Sequence, residues 1–190
     1  MKTGGLFMQE EAYIKKLSKE LQKKYKEGNR KVETGRYNEA EGLLREILEV
    51  EAEFVPVFNK LGVISIYKKD LDMARKHLNQ ALTIDSEFAP SLTNMGSIVR
   101  ESGDMIRAKK YYEKALEFDE EYGPAYNNLG VIAREEGDFA ESVKYLKKAR
   151  KYGNYTVNIS RDKRFYKEPG CIFSILFLII LLVLLYFWLT

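Results

Sequence analysis

The sequence contains few side chains that could carry out chemistry. His77 is the single histidine and Cys171 the single cysteine, which excludes a Cys/His zinc cluster and an intrachain disulfide. No serine or cysteine nucleophile is predicted beside His77, and every informative glycine belongs to a repeat rather than to a phosphate-binding loop. The acidic residues recur at the spacing of solvated helix surfaces. We therefore expect a protein that is not an enzyme and that uses no metal or cofactor.

The polar side chains that recur at a fixed interval are amides and guanidiniums. Asn94 and Asn128 lie 34 residues apart, and so do Arg100 and Arg134, which predicts that each pair forms a short ladder. Amides both donate and accept hydrogen bonds, so they can bind an extended peptide backbone. The alternative is that these residues only solvate an exposed face. Glutamates follow both arginines, and the net charge of +3 is too small to indicate a nucleic-acid-binding protein.

A 34-residue repeat must position these side chains. Five series of residues recur at this interval, and such agreement is not expected by chance. The series are Gly28, Gly62, Gly96 and Gly130; Pro56, Pro90 and Pro124; Ala40, Ala74, Ala108 and Ser142; Ala81, Ala115 and Ala149; and Leu61, Met95 and Leu129.

Each repeat contains two helical patterns. A glycine suited to positive φ is followed by an aspartate suited to capping the next helix at Gly103-Asp104 and Gly137-Asp138. Lys69 stands where the second repeat should have this glycine. If the turns share one backbone, Lys69 is left-handed; the alternative is that it takes an ordinary helical φ in a turn that is built differently. The prolines mark the starts of first helices. The fold class is therefore all-α, an α-solenoid of stacked antiparallel helix pairs.

In the fourth repeat, the apolar residues of the second helix predict its buried face. Phe139, Val143, Leu146 and Ala149 recur at helical spacing. At the other end of the chain, Ile14 and Leu17 are in helical phase with Leu21 and Tyr25. This phase predicts that residues 9–20 lengthen the first helix of the first repeat.

The pattern resembles the tetratricopeptide repeat, most clearly in FNKLGVISIYKKDLDMARKHLNQAL and YNNLGVIAREEGDFAESVKYLKKAR. The resemblance covers residues 21–156 as four units, 21–54, 55–88, 89–122 and 123–156, after an N-terminal extension, 1–20, that is helical from about residue 9. The family's late proline is shifted by four residues, and Glu27 replaces an expected leucine in the first unit.

The resemblance implies that the first helices line a groove that binds an unidentified protein or peptide. The groove positions are Asn59, Val63, Ile66 and Tyr67 in the second unit; Thr93, Asn94, Ser97 and Arg100 in the third; and Asn127, Asn128, Val131 and Arg134 in the fourth. The positions with which chaperone-binding members clamp a terminal carboxylate lack the required lysine and arginine set, so binding of that kind is not expected.

The C-terminal segment predicts a membrane anchor. Residues 171–190 contain no charged residue, and the apolar run from Cys171 to Leu189 is about 28 Å long as a helix, close to the thickness of a bilayer core. The linker 157–170 is basic. Five basic residues lie within 20 residues before the apolar run and none follows it, namely Lys151, Arg161, Lys163, Arg164 and Lys167. This bias predicts a single-pass, tail-anchored protein whose body is cytoplasmic and whose C-terminus lies across the membrane.

Two functions fit these features. The first is a scaffold that holds a partner at the cytoplasmic membrane face through its groove. The second is a structural or assembly subunit that is buried in a larger membrane complex. On the cytoplasmic topology, the glycosylation sequons at Asn154 and Asn158 are chance matches.

Overall fold

The computed structural model describes residues 8–153, which form nine α-helices and no strand. The helices are α1 (Met8–Ile14), α2 (Lys19–Glu33), α3 (Tyr37–Leu48), α4 (Val55–Tyr67), α5 (Leu71–Ile84), α6 (Ala89–Glu101), α7 (Met105–Phe118), α8 (Gly123–Glu135) and α9 (Phe139–Tyr152). The all-α repeat architecture is thus confirmed. The predicted anchor at 171–190 lies outside the described residues, and none of the helices described could cross a membrane.

The helices pack as four pairs, α2–α3, α4–α5, α6–α7 and α8–α9, and each pair packs on the next. Within a pair, glycines allow close approach. A Cβ placed on Gly96 of α6 would lie 2.6 Å from Cε1 of the fully buried Tyr112 ring on α7. First helices of neighbouring pairs also touch, α4 against α6 and α6 against α8. This second set of contacts builds one continuous surface from first helices.

The predicted turn chemistry is present in the structure. Asp70, Asp104 and Asp138 are the N-caps of α5, α7 and α9, and the carboxylate of each accepts a hydrogen bond from the backbone N–H three residues later. The prolines occupy the first turns of α4, α6 and α8. Lys69 has φ +61°, so of the two alternatives for the turn without glycine the left-handed one is present.

The prediction that residues 9–20 lengthen the first helix of the first repeat was wrong. The chain turns after Ile14, where Leu17 N–H donates to the Ile14 carbonyl over three residues. Ser18 then starts α2, because its hydroxyl accepts from Leu21 N–H at 3.3 Å. The helical phase of Ile14 and Leu17 with α2 therefore reflects burial in a shared core and not one straight helix.

The predicted buried face of α9 was also partly wrong. Ala149 is fully buried, whereas Phe139 is 68% and Val143 51% exposed. The residues that match Phe139 in the two preceding repeats, Leu71 and Met105, pack against clusters that include the next first helix. No helix follows α9 within residues 8–153, so Phe139 lacks this cover there.

Candidate partner-binding face

The face made by α4, α6 and α8, here called the first-helix face, carries all the groove positions predicted from the sequence. Their exposure varies widely. Asn59 and Thr93 are buried, Tyr67 is 60% exposed, and Arg134 is exposed. The remaining positions are half-buried: Val63, Ile66, Asn94, Ser97, Arg100, Asn127, Asn128 and Val131.

Amide side chains link α4 to α6. The Asn94 Nδ2 group donates to Asn59 Oδ1 at 2.8 Å, and the Ser91 hydroxyl donates to the same oxygen at 3.2 Å. Since Asn59 is only 3% exposed, these two bonds satisfy an acceptor that would otherwise be buried without a partner. Asn59 therefore joins the two helices, and only Asn94 of this pair reaches the surface.

Ser97 links α6 to both α7 and α8. Its hydroxyl donates to the Thr93 carbonyl at 3.1 Å and accepts from Tyr112 at 3.3 Å and, weakly, from Asn128 Nδ2 at 3.5 Å. Burial raises the pKa of Tyr112, so its hydroxyl keeps the proton that it donates. The ladder thus differs from the predicted one: Asn94 bonds to Asn59 and Asn128 to Ser97, and neither amide bonds to the other.

The two arginines also have different surroundings. Arg100 Nη1 lies 3.3 Å from Glu135 Oε1, so its charge is paired across α6 and α8. Arg134, by contrast, makes no ion pair with any described residue. At the opposite end of the face, the Tyr67 ring stacks on Tyr37 with centroids 5.2 Å apart. Tyr67 and Arg134 are therefore the two most accessible of the predicted positions.

The buried histidine is not part of this face. His77 lies on α5 and is 8% exposed, and its Nδ1 has no hydrogen-bond partner among the described residues. Burial lowers its pKa, and the nearby Arg45 lowers it further. Within residues 8–153 no group of three histidine, cysteine or acidic side chains is placed to bind a metal ion.

The N-terminal helix α1 lies across the beginnings of three repeats, a contact that the sequence did not reveal. Glu10 Oε1 accepts from the Tyr25 hydroxyl of α2 at 2.7 Å and lies 3.4 Å from Lys60 Nζ of α4. Gln9 Oε1 accepts from the N–H of Ala89, the first residue of α6, at 3.0 Å. Three polar contacts therefore connect seven residues of helix to three different first helices.

Aromatic packing supports the same contact. The Tyr13 ring meets Phe54 and Phe88 edge-to-face, with centroids 6.0 and 5.8 Å apart. The Tyr13 hydroxyl donates to Asp85 Oδ2 at 2.8 Å. Burial raises the pKa of Tyr25 well above its ordinary value, and the Glu10 carboxylate raises it further. Gln9, Glu10 and Tyr13 are spaced i, i+1 and i+4, a pattern that places them on one helix side and that was the available sequence signal.

Comparison with known proteins identifies the repeats. Two family models described as tetratricopeptide repeat match residues 55–88 and 87–152. Among curated proteins, no match to the sequence is found.

Several solved structures share the fold. The crystal structure of MamA is 22% identical over 70% of this chain and 77% of its own, with a TM-score of 0.54. PilW, a widely conserved type IV pilus biogenesis factor, is 22% identical over 70% of this chain and 62% of its own, with a TM-score of 0.59. PilF of Pseudomonas aeruginosa is 20% identical over 80% of this chain and 70% of its own, with a TM-score of 0.61. At these identities the likeness to the solved structures concerns the fold alone. The two family models together match residues 55–152, just over half of the chain, so the chain belongs to the tetratricopeptide repeat family.

Proposed function

We propose that the chain is a membrane-anchored adaptor that binds a partner peptide or helix on the first-helix face and holds it at the cytoplasmic side of a membrane. The observation that supports binding is that some polar residues of this face bond one helix to the next, whereas others remain accessible. Asn59, Ser97 and Arg100 are engaged in bonds that join the helices. Tyr67 and Arg134 project from the same surface with much of their side chains accessible. A rigid internal ladder beneath accessible side chains is suited to binding without reorganisation.

Anchoring is the second part of this proposal, and its support comes from the sequence. The uncharged segment 171–190 is long enough to cross a bilayer, and the basic residues before it favour a cytoplasmic body. An anchor of this kind would concentrate the first-helix face at a membrane surface. Partner binding would then recruit that partner to the membrane.

Site-specific photocrosslinking in native membranes tests the binding role. A photoreactive residue replaces Val63 or Val131 on the first-helix face, and matched positions are Glu113 and Lys147, which are exposed on the second helices α7 and α9. We expect Val63 and Val131 to give a shared crosslinked species that the control positions do not give. Equal products from all four positions, or none from the first-helix face, would refute the proposal.

Alkaline extraction tests the anchor. The full chain should remain with the membrane pellet at high pH and enter solution only with detergent, because a spanning segment is held by apolar transfer and not by charge. A chain that ends at residue 170 should be released. Release of the full chain by alkali alone would contradict the anchor.

Exposed apolar residues favour a second candidate function, a subunit of a larger complex. Ile106 is 74% exposed, and Phe139 and Val143 are also largely accessible. Exposed apolar surface of this kind is often covered by a partner in an assembly. Under this alternative, residues 1–170 should self-associate or aggregate, and polar substitutions at the three positions should prevent this. A monodisperse monomer of 1–170 would favour the adaptor.

A further inference from the structure

The surface under α1 has the properties of a ligand site as well as those of a packing interface. This surface, here called the α1 site, consists of Tyr25, Phe54, Lys60, Asp85, Phe88 and the N–H of Ala89. Two aromatic rings provide the apolar floor. A phenol, an ammonium, a carboxylate and a backbone amide surround them, and each of these four polar groups contacts α1.

The occupant of the site is a helix that the site itself stabilises. α1 has seven residues, which is well below the length of about 12 residues at which isolated helices become even marginally stable in water. Its helical form therefore depends on the contacts of Gln9, Glu10 and Tyr13 with the rest of the chain. A segment that is ordered by its docking surface behaves as a bound peptide ligand.

The polar contacts of the site also select for sequence. Glu10 is buried, and its carboxylate has one hydrogen bond from Tyr25 and the nearby Lys60 charge. Tyr13 both packs on Phe88 and donates to Asp85. An occupant without these groups would leave the buried Tyr25 hydroxyl without its acceptor and the half-buried Lys60 and Asp85 side chains without these partners, and a buried donor without an acceptor costs more than the bond contributes when made. The site therefore distinguishes a helix with glutamate and tyrosine from a merely apolar one.

The α1 site adjoins an open cavity at Phe54. A cavity of about 190 Å³ remains beside α1, lined by Tyr13, Lys16, Leu17, Glu51, Glu53 and Phe54. The tether between α1 and α2 has only the four residues 15–18. A short tether gives α1 an effective concentration in the millimolar range, so a free ligand must compete with it.

We propose that the α1 site binds a partner helix with the pattern Gln-Glu-x-x-Tyr, and that α1 is an intramolecular occupant that this partner displaces. The inference rests on the proposed role as a binding scaffold, and it specifies the chemistry of one partner. The partner glutamate takes the place of Glu10 between Tyr25 and Lys60. Its tyrosine fills the position of Tyr13 between Phe54 and Phe88.

The first test uses the full chain in detergent and a labelled peptide of residues 5–17 as the probe. In one receptor, Glu10→Ala and Tyr13→Ala weaken the internal occupant; circular dichroism checks that its repeats stay folded. By fluorescence anisotropy, the peptide should bind this receptor at least about ten-fold more tightly than the unchanged chain, a difference of about 1.4 kcal/mol. The matched control is Glu11→Ala, which removes a charge from α1 at a residue whose side chain contacts no described partner through a hydrogen bond or ion pair; it should bind as the unchanged chain does.

Two further comparisons assign the binding to the α1 site. A peptide with alanine in place of both Glu10 and Tyr13 should bind the opened receptor at least about ten-fold more weakly. Lys60→Met in the opened receptor should weaken binding of the unchanged peptide to a similar extent. Equal affinity for the two peptides would overturn the proposal, because it would show that the surface does not select for the glutamate and the tyrosine.

A charge exchange keeps the proposal testable if the opened receptor does not fold. Lys60→Glu in the full chain places a carboxylate opposite the carboxylate of Glu10, which should loosen the internal occupant. This receptor should prefer a peptide carrying Glu10→Lys over the unchanged peptide by at least about ten-fold. Absence of any preference would overturn the proposal. Because these assays use purified chain and peptide, their failure is independent of the crosslinks from Val63 and Val131.

Discussion

Lys69 is held in a backbone conformation that its side chain disfavours, and its replacement by glycine should stabilise the protein. At the corresponding turns, Gly35, Gly103 and Gly137 have φ +74°, +88° and +84°, and Lys69 has φ +61°. The four turns therefore share one backbone shape. Only the second repeat builds it with a residue that has a Cβ.

The expected gain is the difference between two effects. A left-handed conformation costs a residue with a Cβ about 1–2 kcal/mol, and glycine removes this cost. Glycine also loses about 0.5–1 kcal/mol more in conformational freedom on folding. A net stabilisation of about 0.5–1 kcal/mol remains. With a urea dependence of about 2 kcal/mol per molar, the midpoint should rise by about 0.3–0.5 M.

Urea denaturation of the full chain in detergent, followed by far-ultraviolet circular dichroism, measures this shift. Lys69→Ala is the matched control, because it removes the lysine side chain but keeps the Cβ and should leave the midpoint nearly unchanged. The reciprocal Gly103→Lys should lower the midpoint; a Cβ at Gly103 meets no atom within 4 Å, so conformation and not crowding decides the sign. A lower midpoint for Lys69→Gly, or an equal rise for Lys69→Ala, would refute the reasoning.

Three further outcomes are expected. Gly130→Leu should lower the free energy of unfolding by about 1–3 kcal/mol, because a Cβ at Gly130 would lie 3.0 Å from the Leu146 side chain. The control Gly42→Ala, on an open helix face, should raise it by about 0.5–1 kcal/mol. An unchanged urea midpoint for Gly130→Leu would contradict this packing. The single imidazole of His77 should titrate by NMR below the ordinary pKa of about 6.5, since burial disfavours its charged form. The unfolded chain then binds the proton more readily, so stability should fall as the pH drops below about 6.5, and His77→Leu should lack this part of the fall. Protease added to whole cells should spare residues 1–170, and sugar on Asn154 would contradict a cytoplasmic body.

Features repeated along the chain were predictable from the sequence, because the same residue type at corresponding positions of several repeats supports a single structural interpretation. One glycine-aspartate turn suggests little. Gly103-Asp104 and Gly137-Asp138, with Gly35 and Lys69-Asp70 at the same 34-residue spacing, together predict a shared backbone. The glycines at the helix contacts were predictable for the same reason. Gly96 and Gly130 recur because the opposite helix approaches each of them closely.

Interactions between repeats were less predictable, because they depend on how one helix pair is shifted against the next. The sequence interval of 34 suggested that Asn94 would meet Asn128. In the structure Asn94 bonds to Asn59, 35 residues away, and Asn128 to Ser97, 31 residues away. Small offsets between neighbouring first helices decide which polar atoms meet. The sequence period contains no information about these offsets.

The position of α1 could not be predicted from periodicity at all. Residues 9–17 have the phase of α2, and nothing in that pattern indicates a turn. The helix breaks after Ile14 because the contacts that α1 makes when it docks stabilise the chain more than a continued α2 helix would. It brings Tyr13 between Phe54 and Phe88 and Glu10 between Tyr25 and Lys60. Tertiary contacts of this kind regularly override local propensity.

The placement of α1 also differs from that of a helix that merely closes the end of a repeat array. An end cap needs to cover the apolar surface of the first pair, because each repeat contacts only its neighbours. α1 instead reaches Tyr25 in the first pair, Lys60 in the second and the N–H of Ala89 in the third. Its contacts therefore run across the array, from one first helix to the next. A segment that contacts several first helices at once binds to the repeats in the way that a partner peptide would.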